Sequence, residues 1–120
     1  MNQTLQTILD TGIIAIMRSD SPTGLVEAAR ALAEGGVRAI EVTMTTPGAL
    51  EAIARASADS GGEYIIGAGS ILDAESAGRA IQAGAEFIVM PVAALDAVRA
   101  ARRYGKVAVA GALTPTEILS

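Results

Sequence analysis

The chain has 120 residues, 51% of them apolar, and a formal net charge of −4. That length allows one compact domain over residues 1–120 with a real core, and the acidic balance argues against a nucleic-acid partner. Cysteine and histidine are both absent, which removes disulfides, thiol nucleophiles, Cys/His zinc sites and histidine bases.

The N-terminal stretch MNQTLQTILDTG lacks a basic segment followed by an apolar one, so no signal peptide is expected. No apolar run reaches the roughly 18 residues that span a bilayer. A cytoplasmic protein with no membrane partner is the expectation. Leu5, Ile8 and Leu9 recur at helical spacing and predict a leading helix over Asn2 to Thr11. Gly12 to Arg18, GIIAIMR, reads as the first strand. Ser21-Pro22 then opens a helix, proline being tolerated in a first turn, and Gly35-Gly36 stops it. RAIEVTM, residues 38–44, is the second strand; Thr46-Pro47 leads into a helix ending near Ser57. Glu63 to Gly67 is the third strand, and Asp73 to Ala83 the helix after it. Phe87 to Met90, Ala93 to Tyr104 and Val107 to Ala110 continue the alternation as strand, helix and strand. Thr114-Pro115-Thr116-Glu117 has the form of a capping box, with Thr at the N-cap, Pro at N1 and Glu at N3, and starts a last helix.

Strands that are apolar on nearly every residue, separated by helices, point to a parallel sheet covered by helices. Two architectures accommodate five such units. One is a five-stranded doubly wound sheet. The other is the first part of a (β/α)8 TIM barrel; strand starts recur about every 20 to 26 residues, so eight units need roughly 190 to 200 residues. The leading helix, able to cap a barrel's base, and the chain's end within a helix favour the barrel. A third feature is the series of polar residues at the strand ends, since a barrel builds its active site on that face.

Glu41 is the outlier of its strand. It alternates with Ile40 and Val42, so it shares the opposite face with Ala39, Thr43 and Thr45. Charged side chains are seldom buried without a partner, and Arg18 ends the neighbouring strand. Two readings stand side by side: a structural Glu41–Arg18 ion pair, or a site carboxylate beside an anion-binding arginine. In the second, burial raises the carboxyl pKa and the arginine lowers it, a balance suited to passing a proton back and forth. Gly67-Ala68-Gly69-Ser70 is either an ordinary tight turn or a place where backbone approaches a ligand and Ser70 holds an oxyanion. Pro91 reads as a loop residue after the fourth strand. Arg99, Arg102 and Arg103 read as a solvated helix face. A receiver-type doubly wound domain needs acidic residues at the ends of strands one and three, where this chain has Arg18 and Gly67-Ala68-Gly69.

In order and spacing, IIAIMR, GGVRAIEVT with TTPGALEAI, IIGAGSIL, AGAEFIVMP and VAGALTPTE resemble the 2-keto-3-deoxy-6-phosphogluconate aldolase and 4-hydroxy-2-oxoglutarate aldolase family across essentially the whole chain. The resemblance implies a class I aldolase on a TIM barrel, usually trimeric, working without a cofactor or metal. It implies a lysine that forms a Schiff base with a small 2-keto acid, after which the C3–C4 bond breaks to give pyruvate and an aldehyde. Glu41 corresponds to the family's proton relay. Arg18 and Ser70 correspond to groups that hold the pyruvate carboxylate, and Pro91 borders the pyruvate pocket. Thr45 occupies a substrate-binding position where some members carry arginine, and Ser70 one where they carry threonine.

The family's Schiff-base lysine lies on the sixth strand, which by this pattern falls beyond Ser120. The one lysine present, Lys106, precedes the fifth strand, at the end opposite Glu41. Residues 1–120 are therefore expected to lack turnover on their own, with a non-catalytic half-barrel or assembly module as the alternative.

Overall fold

The strands stand side by side in chain order, and that order decides the architecture. The computed structural model describes all 120 residues. Helix α1 (Gln3–Thr11) precedes β1 (Ile14–Met17). The chain then alternates through α2 (Leu25–Glu34), β2 (Ala39–Thr43), α3 (Ala49–Asp59), β3 (Ile65–Gly69), α4 (Ala74–Ala83), β4 (Phe87–Met90), α5 (Leu95–Arg103), β5 (Val107–Ala110) and α6 (Pro115–Leu119). All four strand pairs are parallel, and the sheet runs β1-β2-β3-β4-β5. A doubly wound sheet reverses direction at a switch point and carries helices on both faces; here the order never reverses.

Register assigns the two faces. Ile16, Glu41, Gly67, Phe87 and Val107 are successive partners across the sheet and so share one face. The residues alternating with them, Met17, Ile40, Val42, Ile66, Ala68, Ile88 and Met90, belong to a single buried cluster with Leu25 and Ala29 of α2, Ile53 and Ala56 of α3, Ala77 and Ala80 of α4, and Ala97 and Ala101 of α5. All four crossover helices thus pack on one face, as in consecutive units of a (β/α)8 barrel. The helices meet the sheet largely through alanine, which lets them lie close to the β-branched strand residues. Each fully buried isoleucine or valine on that face contributes about 1.5–3 kcal/mol.

α1 closes the base. Asn2 caps it, its Oδ1 accepting from Thr4 N at 2.8 Å and Leu5 N at 3.2 Å. Asn2 also ties the helix start to the approach of β5 by donating from Nδ2 to Gly105 O at 3.1 Å.

Several boundaries differ from the sequence reading. α2 begins at Leu25 behind Gly24, not at Ser21-Pro22. Pro22 lies instead in the preceding turn, against Gly48, where an added Cβ would sit 3.2 Å from its Cγ. α3 likewise starts after Gly48. Both left-handed glycines end the turn that the prolines were expected to end. β3 runs two residues later than read, to Gly69, because Tyr64 is drawn toward α3: its hydroxyl donates to Ala56 O at 3.0 Å and to Asp59 Oδ2 at 3.1 Å. β2 stops at Thr43, so the alternation that placed Thr45 beside Glu41 does not extend to it; Thr45 is exposed in the turn. β4 and β5 have the boundaries read from sequence.

Candidate functional site

Glu41 lies mid-way along β2, whose five residues are all buried, and it is only 5% exposed. Its side chain runs along the strand direction to the backbone of β3. A Cβ on Gly69 would lie 2.8 Å from Glu41 Cδ and closer still to Oε1. Any residue but glycine there would displace the carboxylate. Gly67 is flat for a related reason: an added Cβ would sit 2.5 Å from the Phe87 ring, which is itself wholly buried. The GAG run therefore exists to let Phe87 and Glu41 lie directly on the strand. This is a more specific role than a tight turn, which was one of the two sequence readings.

Glu41 forms none of the four ion pairs in the chain, so the structural Glu41–Arg18 pair is not made. Burial raises its carboxyl above the ordinary range, and the Arg18 charge pulls the other way. The opposition expected from sequence is present, and burial dominates it. Thr43, two residues along on the same face and 1% exposed, carries a buried hydroxyl Oγ1 with no hydrogen-bond partner. An unpartnered buried hydroxyl costs about 1–3 kcal/mol, and its place beside a desolvated carboxylate makes this stretch of β2 a candidate site. Sequence parity had put Thr43 on the right face, but nothing local to it signalled the missing partner.

Ser70, directly after β3, has φ 59° and is the one non-glycine residue in the left-handed region. Such strain costs on the order of 1–3 kcal/mol and clusters at ligand sites. Arg18 follows β1 and Pro91 follows β4, both exposed. Gly111, after β5, packs so tightly on Pro91 that an added Cβ would lie 2.5 Å from the Pro91 carbonyl carbon. Thr114 caps α6, its Oγ1 accepting from Glu117 N at 3.2 Å. The Glu117 carboxylate reaches Leu113 N at 3.4 Å rather than the N-cap N–H of a full capping box. Arg18, Thr45, Ser70, Pro91 and Thr114 thus all follow C-terminal strand ends, with Glu41 and Thr43 buried just beneath.

Lys106 is elsewhere. It precedes β5 and pairs with Glu86, just before β4, at 2.9 Å, at the N-terminal end of the sheet. A cavity of about 430 Å³ opens at that base, lined by Gln3, Thr7, Arg38, Ser57, Ser60 and Glu86 among others. It contains no buried carboxylate, and Glu41 does not border it. No cluster of three or more acidic side chains is placed to hold a metal ion, and no helix is long and apolar enough to cross a membrane.

The family described as KDPG and KHG aldolase matches residues 5–120. The KHG/KDPG aldolase of Escherichia coli K12 is 38% identical over 87 residues, 72% of this chain and 40% of that protein. The 2-dehydro-3-deoxy-phosphogluconate aldolase of Treponema pallidum is 39% identical over 79 residues, 66% of this chain and 37% of that protein. Among solved structures, the 2-keto-3-deoxy-6-phosphogluconate aldolase of Zymomonas mobilis ZM4 with 3-phosphoglycerate superposes with a TM-score of 0.84 at 27% identity, covering 99% of this chain and 56% of that one. The chain thus spans about half the length, or less, of the relatives it matches.

Proposed function

Since the chain belongs to the KDPG and KHG aldolase family, we propose that it supplies the proton-relay and carboxylate-binding part of a class I aldolase. The reaction would cleave 4-hydroxy-2-oxoglutarate or a 2-keto-3-deoxy-6-phospho sugar acid to pyruvate and an aldehyde. The observation that carries this reading is the desolvated Glu41 carboxyl, unpaired and seated on Gly69 beneath the strand ends.

Carbon–carbon cleavage by this route needs four steps. An amine adds to the substrate ketone and the carbinolamine loses water, giving a protonated imine. A base removes the proton from the C4 hydroxyl as the C3–C4 bond breaks, and the bonding pair moves into the imine as an enamine. The aldehyde leaves. The enamine is protonated at C3 and hydrolysed to pyruvate. Every proton in this sequence needs a group that both accepts and donates near neutral pH, which an unperturbed carboxylate does poorly. A carboxyl raised by burial and restrained by Arg18 does it better. The substrate's carboxylate is assigned to Arg18 and to Ser70, whose strained backbone holds its hydroxyl and N–H at the end of β3. Thr45 and Pro91 border the same region. Neither metal nor organic cofactor enters this scheme.

The amine is the part these residues do not provide. Lys106 is engaged with Glu86 at the opposite end of the sheet, so we assign the nucleophile to a segment outside residues 1–120 and expect no turnover from these residues alone. The five units are read as an incomplete barrel, and a trimer, by family resemblance, as its assembled state. In a non-catalytic half-barrel the buried Glu41 would be only a cost.

Two measurements test this. NMR titration of residues 1–120 with pyruvate should perturb Glu41, Ser70 and their neighbours; perturbations confined to the base cavity, or none, would overturn the site. Borohydride treatment with pyruvate should leave this chain unmodified, and a stable adduct on Lys106 would refute the assignment of the amine.

A further inference from the structure

Thr46 is 2% exposed, and with Glu41 and Thr43 it completes the buried polar residues of the chain. The chemistry assigned to Glu41 and Arg18 makes no use of it. In sequence, Thr46-Pro47 has the composition of a helix cap, yet the Thr46 hydroxyl caps nothing. α3 starts behind Gly48, which makes no side-chain cap bond. Oγ1 instead accepts from Ser19 N at 3.3 Å, across to the loop that follows β1. Thr46 is itself held on both sides. Its N–H donates to Thr43 O at 2.9 Å, and its carbonyl accepts from Ala49 N at 3.1 Å.

The residue this bond governs is Arg18. Met17 is the last residue of β1 paired with β2, and Ser19 is the next whose backbone has a partner on another element. Beyond Ser19 the loop folds on itself: Ser21 N donates to Ser19 Oγ at 3.2 Å and Thr23 N to Ser21 Oγ at 3.1 Å. The Ser19–Thr46 bond is the single hydrogen bond between the β1–α2 loop and the β2–α3 turn; farther on, Pro22 packs over Gly48. Arg18 thus sits between one residue fixed by the strand ladder and one fixed by the Thr46 hydroxyl. We propose that Thr46 is a positioning residue, whose hydroxyl, through Ser19, sets the backbone of Arg18 and so the reach of its guanidinium toward the carboxylate of a bound 2-keto acid. Small displacements of such a group are costly, and an exposed arginine has no packing of its own to correct them. The ligand in this proposal rests on the role given to Arg18 above; the geometry does not. Arg18 is also the one charge acting on Glu41. The residues flanking Glu41 in the ladder, Ile16 and Gly67, are uncharged.

Two measurements on residues 1–120 test it: the pyruvate Kd from amide NMR shifts, and the titration midpoint of Glu41 from its carboxyl carbon. Thr46→Val keeps the shape and removes the acceptor. It should weaken pyruvate binding at least about fivefold and move the Glu41 midpoint upward, because the arginine that lowers it is no longer held. Thr46→Ser keeps the oxygen and should match the parent in both. The comparison that separates positioning from mere support uses Arg18→Ala. In that background Thr46→Val should change neither affinity nor midpoint, since a residue acting through Arg18 has nothing left to act on. Effects of equal size with and without Arg18 would overturn the proposal, as would an unchanged affinity and midpoint in Thr46→Val or a failure of Thr46→Ser to restore them. If the parent itself does not bind pyruvate, the carboxylate role of Arg18 is refuted, and the Glu41 midpoint alone decides on Thr46. Should Thr46→Val not fold, hydrogen exchange in the parent decides. The Ser19 amide should be protected at least about tenfold more than that of Asp20 after correction for intrinsic rates; equal exchange would overturn the proposal.

Discussion

Glu41 and Thr43 sit two residues apart on β2, and both are held at a cost to the fold. Glu41 is buried without a counter-ion, and its carboxyl is raised chiefly by that burial. The folded state therefore binds the proton more tightly than the unfolded chain. Stability conferred by this group is greatest in acid and falls as pH climbs from the ordinary carboxylate range through the raised folded value, levelling above it. Glu41→Gln removes the penalty. In urea denaturation the variant should be more stable than the parent at pH 7 to 8, with the difference closing toward pH 4; equal stability at every pH would mean that Glu41 is solvated. Thr43→Val keeps the shape and removes the orphan hydroxyl. It should raise stability by about 1 kcal/mol and weaken pyruvate-induced NMR shifts at Glu41, a trade of stability against function. A stability loss in this variant would show that the hydroxyl has a partner in solution. β2's alternation gave these two residues their face from sequence, but not their burial, which is non-local: the Glu41 carboxylate is seated against Gly69 of β3.

The elements are fastened to one another at their ends. Tyr64, in the turn before β3, reaches back to the last turn of α3 and to Asp59, which in turn pairs with Arg30 of α2. Burial, then the hydrogen bond to Asp59, pushes the Tyr64 hydroxyl up to about 12. Tyr64→Phe should cost about 1 kcal/mol, read as a lower denaturation midpoint. The parent should also lose stability between pH 10 and 12, where the unfolded tyrosine ionises first, and the variant should lose less. Identical alkaline profiles would remove Tyr64 from this role. Tyr64 also shows why β3 was misplaced by two residues. Glu63-Tyr64-Ile65-Ile66 is strand-like in composition, and only the contact with α3 takes Tyr64 out of the ladder. Similarly, Ser21-Pro22 and Thr46-Pro47 had the composition of helix starts, but Gly24 and Gly48, two and one residues past the prolines, set the actual boundaries.

At the scale of the whole molecule, 27 of 120 residues are buried, and the protection they give is unequal. β2, β3 and β4 have neighbours on both sides; β1 and β5 have one each. Hydrogen exchange should therefore be slowest in β3 and its two neighbours and fast along the outer edges of β1 and β5. Equal protection in all five strands would indicate that the edges are covered in solution by another copy.

What the sequence determined by itself is what local chemistry controls. Apolar runs and helical spacing assigned strand or helix in the right order. Alternation set Glu41 and Thr43 on the face away from Ile40 and Val42. The motif series IEVT, GAGS and LTPTE gave the family that the match over residues 5–120 then established. What only the tertiary structure decided is non-local. A βαβ unit reads the same in a barrel and in a doubly wound sheet, because the choice lies in whether each helix returns over the same face as the last, and no single unit encodes it. Nor could β2 alone say that Glu41 is desolvated. The strand supplies the carboxylate; Gly69, brought alongside by β3, leaves the room in which it lies buried.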